Sequence, residues 1–159
     1  MNYFELFDLP VSLRADPGSL AKKYFELQKK YHPDFYTQAD DEEQKDMLEK
    51  SSEINKALKV LKQPMETIKY VLQQKGLLEE EEKYQLPPAF LMEMMELNEA
   101  FGENTADAIK DFETAIYHHV QDIIEGYDDI STTKEELLKV KEYYFKKKYL
   151  QRILDRIAD

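Results

Sequence analysis

Residues 16–34 read DPGSLAKKYFELQKKYHPD, and they contain the signals for the start, the body and the end of one helix. Asp16 can cap the first turn, and Pro17 suits the first helical position because the N–H it lacks has no partner there. Pro33 disfavours helical geometry at His32, so the helix is predicted to end there. The apolar face recurs at spacings of four, three and four residues: Leu20, Tyr24, Leu27 and Tyr31.

Further helices are predicted on both sides of this stretch. Residues 3–7 indicate a short helix that is closed by Pro10. After a polar loop at 35–41, a third helix is predicted to end at Pro64, and a fourth runs to Gly76. The apolar face of the third helix carries Met47, Ile54, Leu58 and Leu61. The first half of the chain is therefore expected to form a hairpin of two long helices with a short helix at each end.

The second half predicts three helices joined by short connections. The first begins at Pro88 and ends near Gly102, and the second continues to Gly126. Either Thr132 or Thr133 can open the last helix through a capping box with the glutamate three residues later. Three helices with short connections favour an antiparallel three-helix bundle. The four consecutive glutamates before Pro88 are expected to lie in a solvated linker.

The composition narrows the class of protein. The chain has 159 residues, a formal net charge of −11 and no cysteine. Its acidity argues against nucleic-acid binding, and no stretch approaches the roughly 20 apolar residues of a membrane-spanning helix. The N-terminus lacks the layout of a signal peptide. These features predict an all-α, cytoplasmic protein with no nucleic acid or membrane as a partner.

The tripeptide His32-Pro33-Asp34 lies at the expected tip of the N-terminal hairpin. The preceding helix carries four lysines, Lys22, Lys23, Lys29 and Lys30. Two pairs of these lysines are seven residues apart, so a basic strip follows the helix to the turn. An exposed carboxylate beside such a strip suits pairing with an arginine on an acidic partner protein.

The helix that begins at Pro88 has more apolar residues than one buried face requires. One stripe consists of Phe90, Met94, Leu97 and Phe101. A second face carries Leu91, Met92 and Met95, edged by Glu96 and Glu99. No helix is central in a three-helix bundle, so we expect the second face to be partly exposed for protein binding. The alternative is that Leu91 and Met95 pack beneath the N-terminal half.

Together these motifs resemble a J-domain followed by the C-terminal domain of the HscB family. The sequence YFELF at 3–7, the lysine-rich helix, the His32-Pro33-Asp34 turn and INKA at 54–57 resemble a J-domain, the co-chaperone module of DnaK-type ATPases. The sequence beginning at Phe90 resembles the Phe-Leu-Met-Glu signature of HscB proteins, J-proteins dedicated to iron–sulfur cluster biogenesis. The resemblance covers essentially the whole chain. It implies a J-domain at 1–76, a linker at 77–87 and a scaffold-binding three-helix domain at 88–159.

The resemblance also implies partners and site residues. The His32-Pro33-Asp34 loop would stimulate ATP hydrolysis by a chaperone of the DnaK/HscA type, with the four lysines as the docking surface. Phe35 stands where a lysine is common, a change that we expect to alter affinity more than activity. An iron–sulfur scaffold of the IscU type would bind Leu91, Met92, Met95, Glu96, Glu99 and Tyr149. The alignment of the last helix is looser, because Tyr143, Tyr144 and Phe145 lie one turn before Tyr149. Neither a metal nor a cofactor is implied.

Two other functions stay open at this point. An enzyme is disfavoured, because His118 and His119 point about 100° apart on a helix and the sequence lacks a glycine-rich phosphate loop. A J-protein that serves a general DnaK-type chaperone with another client is compatible with the N-terminal half. The apolar face at Leu91, Met92 and Met95 is the feature that favours a dedicated scaffold partner.

Overall fold

The computed structural model describes residues 2–100 and 102–158, and these residues form helices and connections without a strand. The helices are α1 (Tyr3–Leu6), α2 (Pro17–Tyr31), α3 (Asp41–Leu61), α4 (Pro64–Gln74), α5 (Pro88–Glu99), α6 (Thr105–His118), α7 (Gln121–Glu125) and α8 (Lys134–Ala158). The predicted all-α class is confirmed. The chain forms two compact units, Met1–Val71 and Leu72–Asp159. The predicted stripe on the helix after Pro88 includes Phe101, and the predicted last domain includes Asp159. Both residues lie outside the described part of the chain.

Helix α2 begins and ends where the sequence predicts. The Asp16 carboxylate accepts hydrogen bonds of 2.9 Å from both the backbone N–H and the hydroxyl of Ser19. These bonds lower the pKa of the Asp16 carboxyl, because they stabilise its charged form. At the other end His32 is extended, with φ −64° and ψ 131°, as expected for a residue before proline.

The N-terminal unit is built around the α2–α3 hairpin. Its core is formed by Phe4, Phe7, Leu13, Leu20, Ile54, Ala57, Leu61, Ile68 and Val71. The Tyr24 hydroxyl donates a 2.9 Å hydrogen bond to Asn55 across the hairpin. Helix α1 is held against α4, because the Tyr3 ring stacks on Tyr70 at 4.7 Å and the Tyr3 N–H donates to the Tyr70 hydroxyl. The predicted short helices therefore help to close the core of the hairpin.

The C-terminal unit packs α5, α6, α7 and α8 around a second core. That core includes Phe90, Met94, Ile109, Ile116, Val120, Ile124, Leu137, Val140, Tyr144, Leu150 and Ile153. The predicted capping box at Thr133 is confirmed: its hydroxyl accepts from the Glu136 N–H at 3.1 Å, and its own N–H donates to the Glu136 carboxylate at 3.0 Å. The Thr132 hydroxyl instead accepts from the Asp128 N–H.

The prediction of one continuous helix from about residue 105 to Gly126 is wrong. Helix α6 ends at His118, and α7 starts at Gln121 after Val120 adopts φ −120° and ψ 1°. Ile116, Val120 and Ile124 are all buried and lie four residues apart. In a straight helix of 3.6 residues per turn, a four-residue repeat drifts by about 40° at each step and stays on one broad face. All three side chains remain in the core across the break.

The acidic segment at 77–87 is only partly solvated. It contains no helix, and Glu79, Glu80 and Glu81 are exposed, as expected of a linker. However, Leu78 is buried, and Glu82 forms a 2.7 Å ion pair with Lys141 of α8. The Tyr84 ring stacks on Phe145 of α8 at 4.5 Å. The segment is therefore attached to the C-terminal unit, while the domain limits at 76 and 88 stay predictions.

The ion pair at Glu82 predicts a pH dependence of stability. The hydrogen bond from Lys141 lowers the pKa of the Glu82 carboxyl. A depressed folded-state pKa stabilises the fold above the ordinary glutamate pKa, and this contribution is lost as the pH falls through the folded-state value. From about pH 6 to about pH 3, Glu82→Gln should therefore lose less stability than the parent protein in urea unfolding followed by circular dichroism.

The exposed neighbour Glu81 provides the matched control. Glu81→Gln should follow the pH profile of the parent protein, since its side chain is solvated. A Glu82→Gln profile that coincides with the parent profile would show that the ion pair does not contribute.

Candidate functional site

The turn between α2 and α3 contains a short 3-10 helix, Pro33–Tyr36, with His32 as its N-cap. The sequence predicts the turn at 32–34 but only a polar loop from residue 35. The Asp34 N–H donates to Nδ1 of His32 at 3.2 Å, and the Phe35 N–H donates to the His32 carbonyl at 3.0 Å. The Tyr36 hydroxyl donates to the Lys30 carbonyl at the end of α2. These three hydrogen bonds fix the conformation of the turn. The His-Pro-Asp motif alone does not predict them.

The Asp34 carboxylate is the exposed acidic group of this turn. Its side chain is 85% exposed, and its nearer oxygen lies 3.6 Å from Nδ1 of His32. That distance is longer than a hydrogen bond. The carboxylate is therefore accessible to a cationic group on a partner protein.

The four predicted lysines differ in their surroundings. Lys22, Lys29 and Lys30 are exposed. Lys23 is only 31% exposed and forms a 3.3 Å ion pair with Asp8. The structure thus places three lysines of the basic strip in solvent and engages the fourth within the unit.

Two exposed aromatic rings lie near this strip, one on α2 and one in the turn that follows it. Phe25 is 62% exposed and Phe35 is 67% exposed. The Lys29 ammonium lies 4.6 Å from the centre of the Phe25 ring, within cation–π distance. The predicted site residues do not include Phe25. The one sequence signal for its exposure is its position between Tyr24 and Leu27, where it lies off the apolar stripe of α2.

Helix α5 divides its apolar side chains between two faces. Phe90 is 4% exposed and Met94 is fully buried. On the other face Leu91 is 38% exposed, while Met92 and Met95 exceed 60%. Glu96 and Glu99 extend this face and are also exposed. The helix therefore presents an apolar surface with an acidic edge, named here the α5 patch: Leu91, Met92, Met95, Glu96 and Glu99.

Among the aromatic residues of α8, Tyr149 contacts α5. Its half-buried ring meets Phe90 edge to face at 5.8 Å. Tyr143 and Tyr144 are buried in the core, and Phe145 stacks on Tyr84. Tyr149 is accordingly the best placed of the four to adjoin the α5 patch.

Two further findings concern other kinds of site. In residues 2–100 and 102–158, no three His, Asp or Glu side chains are grouped so that they could hold a metal ion. Within the same part of the chain, every helix is too short or too polar to cross a membrane.

The N-terminal unit has the arrangement of a J-domain: a two-helix hairpin, a lysine-bearing second helix and a His-Pro-Asp turn at the tip. J-proteins are co-chaperones, and a His-Pro-Asp turn is their characteristic motif. In this chain that turn is His32-Pro33-Asp34. The fold and the turn thus define a J-protein co-chaperone.

Comparison with known proteins identifies the family. Residues 86–158 match the family model described as the HSCB C-terminal oligomerisation domain. The co-chaperone protein HscB homolog of Vibrio parahaemolyticus is 35% identical over 139 residues, covering 86% of this chain and 80% of that protein. A second HscB homolog, from Photobacterium profundum, is 34% identical with similar coverage. The chain belongs to the HscB family of co-chaperones.

Solved structures agree with this assignment. The human co-chaperone HscB is 28% identical and superposes with a TM-score of 0.80, covering 99% of this chain and 81% of the human chain. The chaperone HscB from Vibrio cholerae is 26% identical with a TM-score of 0.64 and 99% coverage of both chains. The likeness therefore includes the fold of both units.

The two faces of α5 predict opposite effects for neighbouring methionines. Met94 is fully buried and Met95 is 62% exposed. Met94→Ala should lower the free energy of unfolding by about 2–5 kcal/mol through loss of buried contacts and creation of a cavity. Met95→Ala should change it by less than about 0.5 kcal/mol. Urea unfolding of both variants tests this, and equal losses would contradict the assignment of the faces.

Proposed function

We propose that this co-chaperone, acting in the cytoplasm, couples an IscU-type iron–sulfur scaffold to a DnaK/HscA-type ATPase chaperone. The iron–sulfur cluster is the cargo of the scaffold. The protein itself is not an enzyme and takes part through binding alone.

The observation that carries this proposal is the presence of two exposed surfaces of different chemistry on separate units. The N-terminal hairpin offers the Asp34 carboxylate at its tip and the exposed lysines Lys22, Lys29 and Lys30 along α2. The C-terminal unit offers the α5 patch, and Tyr149 of α8 contacts Phe90 on the same helix. One basic surface and one apolar surface favour two different partners.

The Asp34 turn supports a role in stimulating the chaperone. Its hydrogen bonds hold the backbone of the turn in one conformation before a partner binds. A preorganised group loses little conformational entropy on binding. Asp34 would pair with a cation near the chaperone's ATPase machinery, while the lysines dock on an acidic surface.

The α5 patch supports a role in scaffold binding. Its centre is apolar and its edge is acidic, so the complementary partner has an apolar surface with basic residues beside it. Methionine side chains adapt their shape to a partner more readily than branched side chains do. The iron–sulfur scaffold implied by the family is the partner we assign to this surface.

We infer a sequence of two binding events. The C-terminal unit captures the scaffold, and the J-domain docks on the chaperone in its ATP state. ATP hydrolysis, stimulated by the turn, then closes the chaperone on the scaffold and assists cluster transfer. This protein acts as the adaptor and does not contact the nucleotide.

An alternative is a J-protein for a general DnaK-type chaperone with another client. The N-terminal unit fits both functions, because it lacks a feature that is specific for the client. The exposed α5 patch favours the dedicated scaffold, and scaffold-binding measurements separate the two.

The Asp34 assignment predicts a loss of stimulation without a loss of scaffold binding. Asp34→Asn keeps the shape of the side chain but removes the charge that pairs with the chaperone. We expect the steady-state ATPase rate of the chaperone to fall to its unstimulated level, with scaffold affinity unchanged by calorimetry. Asp46→Asn, at an exposed position on α3, is the matched control and should stimulate normally.

The same assay tests the coupling of the partners. Stimulation by this protein should rise when the scaffold is added. Loss of scaffold binding in Asp34→Asn would contradict the separation of the surfaces. Stimulation that does not respond to the scaffold would favour the general J-protein.

The α5 patch predicts a selective loss of scaffold affinity. The double variant Leu91→Ala, Met95→Ala removes exposed apolar contacts and should weaken scaffold binding about tenfold or more, as expected for the centre of an interface. Calorimetry measures the affinity, and the ATPase stimulated without scaffold should be unchanged.

Leu138 offers a matched control. It is 42% exposed on α8, about 16 Å along the helix from Tyr149. Leu138→Ala should bind the scaffold as the parent protein does. Unchanged affinity in the double variant would remove the α5 patch from the scaffold interface.

A further inference from the structure

The outward face of α2 contains an aromatic residue between lysines. Lys22, Phe25 and Lys29 lie three and four residues apart, and His32 follows three residues later. This spacing places Lys22, Phe25 and Lys29 on one face of the helix, directed away from the buried stripe that includes Leu20, and His32 follows at the helix end. Phe25 is 62% exposed there, so the apolar ring is in solvent among cationic side chains.

Both exposed rings contact residues of the turn and strip. Lys29 lies over the Phe25 ring at 4.6 Å. The Phe35 ring meets the His32 ring edge to face at 6.3 Å, with an angle of 74° between their planes. Phe35 also directly follows Asp34 in the 3-10 helix. The two rings are thus adjacent to the groups proposed to bind the chaperone.

We propose that Phe25 and Phe35 are the apolar anchors of the chaperone-docking surface in this protein. This inference rests on the proposed function, because it concerns the same surface. The matching region of the ATPase chaperone would combine acidic side chains with apolar recesses for the two rings. Aromatic side chains are enriched at protein interfaces, where a few buried anchors commonly carry most of the binding energy.

The charges around Phe25 favour such a partner over a second copy of the chain. A symmetric pairing through this face would bring Lys22 and Lys29 close to the same lysines of the other copy. Like charges oppose that contact, whereas an acidic surface attracts them. The occupant is therefore assigned as the acidic docking surface of the chaperone.

The two phenylalanines and the lysines should differ in how their contribution to affinity depends on salt. Burial of an apolar ring contributes affinity that depends weakly on salt. Contacts between exposed charges weaken as ionic strength rises. Phe35 is 67% exposed, so its burial against the chaperone would contribute affinity of the weakly salt-dependent kind.

The experiment is a titration of the chaperone's ATPase with this protein at ionic strengths from about 0.05 M to about 0.3 M. For Phe25→Ala we expect the half-stimulating concentration to rise about tenfold. The maximal stimulation and the salt dependence should stay unchanged. Lys22→Ala should instead reduce the salt dependence, since it removes an exposed charge. Phe35→Ala should behave as Phe25→Ala does, and Phe35→Leu should recover most of the affinity.

Leu48→Ala is the matched control, since Leu48 is 60% exposed on α3 and lies outside the strip. Its half-stimulating concentration should equal that of the parent protein. Circular dichroism checks the fold of each variant, and Phe25→Gln replaces Phe25→Ala if the latter is unfolded.

The outcomes separate this inference from the proposed function. If the parent protein stimulates the chaperone but the phenylalanine variants match it, the anchors are wrong and the co-chaperone function stands. If the parent protein does not stimulate the chaperone, both fail. If Phe25→Ala lowers the maximal stimulation without changing the half-stimulating concentration, docking is not the role of this residue.

Discussion

The N-terminal surface depends on the restriction that Pro33 places on the residue before it. His32 is extended rather than helical, so α2 ends and the chain turns toward α3. In that conformation Nδ1 of His32 accepts the Asp34 N–H, and the carboxylate of Asp34 extends into solvent. Had the helix continued, Asp34 would be one more acidic side chain along α2. A single steric constraint thus creates both the end of the hairpin and its exposed carboxylate.

The C-terminal surface has a different physical origin. Successive residues of a helix point about 100° apart, so Met94 can be fully buried while Met95 is exposed. Phe90 and Met94 supply buried packing for α5, and the same short sequence leaves Leu91, Met92 and Met95 exposed. Since the exposed side chains contribute little to the core, the protein can retain an apolar surface without losing its fold.

The sequence predicts those features that are set by local interactions. Asp16 and Thr133 cap helices through bonds to residues three positions later, and Pro33 acts on its immediate neighbour. The ion pair of Glu82 with Lys141 joins segments that are far apart in the sequence, which local patterns do not contain. The break at Val120 is marked by neither a glycine nor a proline in residues 103–125. Similarly, helical spacing identifies Phe25 as a residue that lies off the apolar stripe. Whether its ring is exposed depends on the surrounding structure and not on that spacing.

In the proposed function, the two surfaces would act through binding alone. Each lies on its own compact unit, and the covalent connection between the units would keep the proposed scaffold close to the proposed chaperone. Such a connection can raise the effective concentration of one partner for the other to about the millimolar range. Moderate affinity at each surface would then be sufficient to bring the two partners together, and either partner could still be released. Exposed side chains on a stable helical framework meet that requirement, because their contacts can form and break while both cores remain intact.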